Sequence, residues 1–88
     1  MKKIAHLPEL SRLIASIPNA LMAECVLNNL FTPQELEEIS LRLQIFKMLK
    51  KGIPQRSIAQ QLKVSIGTVS RGSRELQYGP PGIIHLLS

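Results

Sequence analysis

Residues 55–76, QRSIAQQLKVSIGTVSRGSREL, read as two short helices meeting at a tight corner. Ile58, Ala59 and Leu62 recur at helical spacing and make the buried face of the first helix, with Ala59 small enough for a second helix to cross close to it. Val64 is the apolar plug of the turn. Ser65 stands where an N-cap is wanted, its hydroxyl free to accept a backbone N–H from the next helix. Val69 and Leu76 face inward from that second helix, which leaves Ile66, Gly67, Thr68, Ser70, Arg71 and Arg74 outside. Small, polar and basic, that outer face suits a DNA groove. The pattern is a helix-turn-helix, with a plain helical hairpin as the alternative.

Charge supports the first reading. From Arg42 to Arg74 lie Arg42, Lys47, Lys50, Lys51, Arg56, Lys63, Arg71 and Arg74, with no acid among them. The acids, Glu9, Glu24, Glu35, Glu37, Glu38 and Glu75, all fall outside that run. A charge run alone is often only a solvated face. Coincident with a helix-turn-helix, and in a chain of net charge +5, it points to an anionic partner.

The chain has 88 residues, 44% hydrophobic but only 3% aromatic. Its core must therefore come from Leu, Ile, Val, Met and Ala, which favours packed helices over sheet. One small domain buries a modest share of its surface, so an oligomer is a natural way to complete it. Cys25 is the only cysteine, which excludes an intrachain disulfide and the usual Cys/His zinc site, and it reads as a small buried hydrophobe. Pro8, Glu9, Ser11 and Arg12 interrupt any apolar run near the N-terminus. No signal peptide or membrane span is predicted, and a cytoplasmic protein is the default.

Upstream of the motif, Leu7, Leu10, Leu13, Ile14 and Ile17 predict a helix over 7–17, with Pro8 in its first turn and Pro18 marking its end. A second helix, about 19–30, is apolar almost all round through Leu21, Met22, Val26, Leu27 and Leu30. Such a helix needs cover on every side, and packing against a partner chain provides it. Thr32-Pro33-Gln34-Glu35 is a capping box that opens the longest helix, running to about Lys51 and ending at Gly52. Two apolar flanks, Leu36, Ile39, Leu43 and Phe46 against Leu41, Ile45, Met48 and Leu49, make it the central beam of a bundle shared between subunits. After Leu76, Gly79-Pro80-Pro81-Gly82 breaks the second motif helix, and IIHLLS predicts one docked helical turn.

Arg42 lies between Leu41 and Leu43, an awkward place for a cation, and Arg71 lies inside the second motif helix. Both read either as surface charges or as the walls of a pocket whose guanidinium planes hold an anionic or aromatic small molecule. His6 and His85 stand alone near the two ends, and no serine has a neighbouring His base, so neither a metal site nor nucleophilic catalysis is expected. Gly67 permits close approach of backbone to DNA, or simply loosens the helix start.

Taken together, LFTPQELEEISLRLQIFKMLKKG and PQRSIAQQLKVSIGTVSRGSREL resemble the bacterial tryptophan repressor family over about residues 30–76. The most specific parts are F-T-P-x-E, L-R-L-Q-I, Q-R-x-I-A and T-V-S-R-G-S. The resemblance implies an all-α fold of about six short helices in an intertwined homodimer. It further implies that Arg42 and Arg71 sandwich the indole of L-tryptophan, that Thr32 and Arg71 meet its carboxylate, and that Gly72 leaves room for the ring. Carbonyls near Asn29 and Phe31 of the other chain would receive the ammonium. Ile66, Gly67, Thr68 and Ser70 would face bases, and Arg56, Lys63 and Arg74 would approach guanine or phosphate. Two motifs would then sit about 34 Å apart, in successive major grooves of a palindromic operator.

The chain departs from the family at Glu75, where a serine is common near the ligand amine, in a connector one residue shorter, and in a short N-terminal arm and final helix. The expectation is a single DNA-binding repressor domain over 1–88: dimerisation helices at 7–51, the helix-turn-helix at 55–76, and a short C-terminal segment at 80–88. It is not an enzyme and needs no cofactor beyond L-tryptophan as corepressor, with Glu75 facing the effector. The alternatives are a repressor-like regulator with another effector or none, and a helical interaction module that does not bind DNA.

Overall fold

A computed structural model describes residues 3–87, so Ser88 of the expected C-terminal segment lies outside the described residues. The described chain is all-α, with six helices and no strand: α1 Leu7–Ala15, α2 Ala20–Leu30, α3 Pro33–Lys50, α4 Gln55–Leu62, α5 Ile66–Tyr78 and α6 Ile83–Leu86. Two compact units divide at Leu36/Glu37, within α3.

In the first unit, local chemistry sets the ends of each helix. Pro8 occupies the first turn of α1, and the chain leaves that helix at Ser16, whose hydroxyl donates to the Leu13 carbonyl at 2.6 Å. The helix therefore stops two residues short of Ile17. Asn19 caps α2 by accepting from the Met22 N–H at 2.9 Å. The capping box at the start of α3 is complete. Thr32 N–H donates to Glu35 Oε1 at 2.9 Å, and Glu35 N–H donates back to Thr32 Oγ1 at 3.2 Å. Neither α1 nor α2 contains a buried residue. Leu7, Leu10, Leu13 and Ile14 of α1 and Leu21, Met22 and Leu30 of α2 are all exposed, and so is Cys25, against its expected burial.

The second unit holds the core. Ile45 of α3, Ile58 of α4 and Val69 of α5 pack together with their side chains out of water, and Met48, Leu49, Ile53, Ala59, Leu62 and Val64 close around them. Burying each of the three contributes about 1.5–3 kcal/mol. The geometry that brings them together is set by two turns. At the end of α3, Gly52 adopts φ +81°, Gly52 N–H donates to Leu49 O and Ile53 N–H to Met48 O. This paired closure reverses the chain and drops Ile53 onto the core. At the end of α4, Lys63 takes the left-handed conformation at φ 56°, and Val64 N–H donates to Ala59 O at 3.0 Å. Ser65 then caps α5, its hydroxyl accepting from the Thr68 N–H at 3.1 Å. Past Leu76, α5 continues to Tyr78, two residues beyond the reading from sequence, before Gly79 ends it.

Candidate functional site

Arg42 and Phe46 are one helical turn apart on α3, with Ile45 beside them. On α5, Thr68, Arg71, Gly72 and Glu75 recur at intervals of three and four, so they too share one face. Where these faces meet, with Pro80 and Ile83 from the chain beyond α5, the second unit has a cleft of about 610 Å³. That is a volume suited to a ligand of metabolite size. Its floor is apolar, from Ile45, Phe46, Pro80 and Ile83, and its charges are two guanidinium groups and one carboxylate.

Gly72 explains how the cleft is built. It is buried, and a Cβ added there would lie 3.0 Å from Ile45 Cγ2 and 3.7 Å from both Leu49 Cδ1 and Phe46 Cε1. The absent methyl lets α5 lie close against α3, which carries Arg71 to the same cleft as Arg42. Both arginines are exposed, as open walls of a cleft require.

Of the residues expected to meet an effector, Arg42, Arg71, Gly72 and Glu75 are brought together here. Asn29, Phe31 and Thr32 belong to the first unit. Asn29 lines a separate hollow along α2 with Leu21, Glu24, Cys25 and Asn28. Phe31 is half-buried and extended, its N–H donating to Leu27 O. Thr32 Oγ1 is engaged in the capping box. Sequence reasoning missed five lining residues, one of which, Thr68, was read only as base-facing. Ile45 and Phe46 were read only as core, although their helical spacing from Arg42 places them beside it. Pro80 and Ile83 reach the cleft from the segment after Gly79, whose helix break and docked turn the sequence predicts without showing where they dock.

The expected nucleic-acid face is exposed at Arg56, Lys63, Ile66, Gly67, Thr68 and Arg74. A Cβ at Gly67 would meet nothing nearer than Ser65 Oγ at 3.8 Å, so the start of α5 is sterically open on that side. Thr68 Oγ1 pairs with Ser65 Oγ at 2.8 Å and also borders the cleft. Ser70 departs from the outer face on which the sequence put it. It is half-buried, and its hydroxyl donates to Gln55 Oε1 of α4 at 2.8 Å, because it stands at the seam of the two helices.

Among the described residues no His/Cys/Asp/Glu group is placed to hold a metal ion, and no helix is long and apolar enough to cross a membrane. A family model described as the Trp repressor protein matches residues 5–88. The chain belongs to the Trp repressor family. A "Trp operon repressor homolog" of Vibrio parahaemolyticus is 38% identical over 81 residues, 84% of this chain and 79% of that protein. Homologs so named from Pasteurella multocida and Mannheimia succiniciproducens are 44% and 47% identical over 57 residues, 64% of this chain. In those two, the match spans only 56% of the relative's length. No solved structure matches the chain. The Trp repressor family is one of regulators and not of enzymes.

Proposed function

We propose that the chain is a sequence-specific, DNA-binding transcriptional repressor of tryptophan metabolism genes, working in the cytoplasm as an intertwined homodimer and activated by L-tryptophan as corepressor. The observation that carries this reading is the double use of α5. One side of that helix lines a cleft with Arg42 and Arg71, and its first turn offers Ile66, Gly67 and Thr68 to solvent. A guanidinium plane stacks on an aromatic face, so the two arginines are suited to hold an indole, and Arg71 has a second use as carboxylate partner. Thr32 would join it at the carboxylate, and the Asn29 and Phe31 carbonyls of the other protomer would take the ammonium. α4 and α5 serve as the helix-turn-helix, with Ile66, Gly67 and Thr68 toward bases and Arg56, Lys63 and Arg74 toward guanine or phosphate, while Ser70 fastens α5 to α4.

The ligand acts by differential affinity. It tightens DNA binding only as far as it binds the DNA-competent arrangement of the two motifs better than the others. The decisive experiment is calorimetric titration with L-tryptophan, paired with binding to palindromic and random DNA at several salt concentrations. Saturable heat, tighter palindrome binding with ligand and a steep salt dependence are expected. No heat at millimolar ligand, with palindrome binding intact, removes the corepressor. Loss of any preference for the palindrome removes the operator. Glu75 at the cleft favours one second reading, a repressor-like regulator answering a different effector.

A further inference from the structure

Lys50 belongs to the acid-free basic run from Arg42 to Arg74, yet its charge is engaged within the protein. Its ammonium, on the last residue of α3, donates to the Ile84 carbonyl at 3.3 Å and to that of Leu87. Both carbonyls lie toward the C-terminal end of α6, where a helix has no partners of its own for its last carbonyls. The rest of segment 80–87 is bonded only locally. Gly82 N–H donates to Pro80 O, His85 N–H to Gly82 O and Leu87 N–H to Ile83 O. A helix of four residues does not persist on such bonds alone. Among the described residues, every hydrogen bond from this segment to another helix is made by Lys50.

What Lys50 fastens is one apolar wall, since Pro80 and Ile83 line the cleft between α3 and α5. A ligand held there loses part of its apolar contact whenever the segment lifts, and it leaves faster from that opened state. We propose that segment 80–87 is a strap along the cleft, that Lys50 is its clasp, and that the closed clasp prolongs the stay of a bound effector. This rests on the effector reading given above. Lys50 is then a positioning residue, acting through Pro80 and Ile83 and touching neither ligand nor DNA.

The chain contains no tryptophan, so the fluorescence of L-tryptophan reports its own release in stopped flow. Full-length wild type, Lys50→Met and Lys50→Arg are compared for that release, for amide exchange at His85 and Leu87 without ligand, and for the salt dependence of binding to random DNA. Thermal melts establish folding. Lys50→Met should speed release by about fivefold, the effect of charge-assisted hydrogen bonds discounted for an exposed site, and should raise exchange at both amides. Lys50→Arg should restore slow release, because a guanidinium also donates, and the salt slope should be the same in all three proteins. Unchanged release from Lys50→Met, with L-tryptophan still bound, overturns the clasp and leaves the effector reading standing. A slope reduced by about one phosphate contact in Lys50→Met overturns it too, since the ammonium then belongs to DNA. If L-tryptophan does not bind wild type, the effector reading fails and the retention role falls with it, and faster exchange in Lys50→Met distinguishes that failure from a missing tether.

Discussion

Two glycines on α5 lack a side chain for opposite reasons. Gly67 has room for a Cβ, which would meet Ser65 Oγ at ordinary contact distance, whereas Gly72 is pressed against Ile45. Gly67→Ala should therefore leave the protein as stable or up to about 1 kcal/mol more stable, since alanine is the better helix former. It should weaken operator binding all the same if backbone approaches DNA there. Gly72→Ala should destabilise by about 1–3 kcal/mol through overpacking and push Arg71 away from Arg42, so that ligand affinity falls. Urea denaturation with matched ligand and DNA titrations separates the two, and a stable Gly72→Ala protein with normal ligand binding would contradict the account. Arg42 was legible because a cation between leucines is conspicuous in a sequence. The use of Gly72 as a spacer was not, because it depends on Ile45 lying opposite it, 27 positions earlier by numbering.

At the level of elements, the chain's own punctuation was readable. Thr32 with Glu35, Ser65 before Ile66, and Gly52 after Lys50 announce helix ends by local hydrogen bonding, and each is found at its place. What depends on a second element was not readable. Ser70 belongs to an outer face by periodicity, yet Gln55 draws it into the seam between α4 and α5. Pro80 and Ile83 line the cleft on a segment whose Ile84 carbonyl accepts from Lys50. The turn between α4 and α5 also holds an unadvertised cost. Lys63 sits at φ 56°, a conformation natural to glycine and unfavourable by about 1–2 kcal/mol for a residue with a Cβ. Lys63→Gly should raise the unfolding free energy by about 0.5–1 kcal/mol once the added flexibility of the unfolded chain is offset. The same change should lower DNA affinity and flatten its salt dependence by about one phosphate contact, if the ammonium reaches the backbone. Retained DNA affinity and salt slope would limit Lys63 to a structural role.

On the scale of the whole molecule, the contrast between the two units is the informative feature. The second unit has a closed core, while α1 and α2 leave Leu7, Leu10, Leu13, Leu21 and Met22 in water. The proposed homodimer, in which these helices interlock, would supply the missing cover and make folding depend on protomer concentration. Sedimentation at micromolar concentration should give a dimer, and the melting temperature should rise with concentration. Leu10→Glu, placing a charge on the apolar stripe of α1, should abolish both. A monomer whose melting temperature is insensitive to concentration would remove the interlocked arrangement. Three consecutive residues of α5 carry one last consequence. Thr68 borders the cleft, Val69 is fully buried, and Ser70 is bonded to α4. Rolling α5 about its own axis would pull Val69 from the core and break the Ser70–Gln55 bond together, so the proposed effector would not turn that helix alone. Any shift of the motif would carry α4 and α5 as a joined pair.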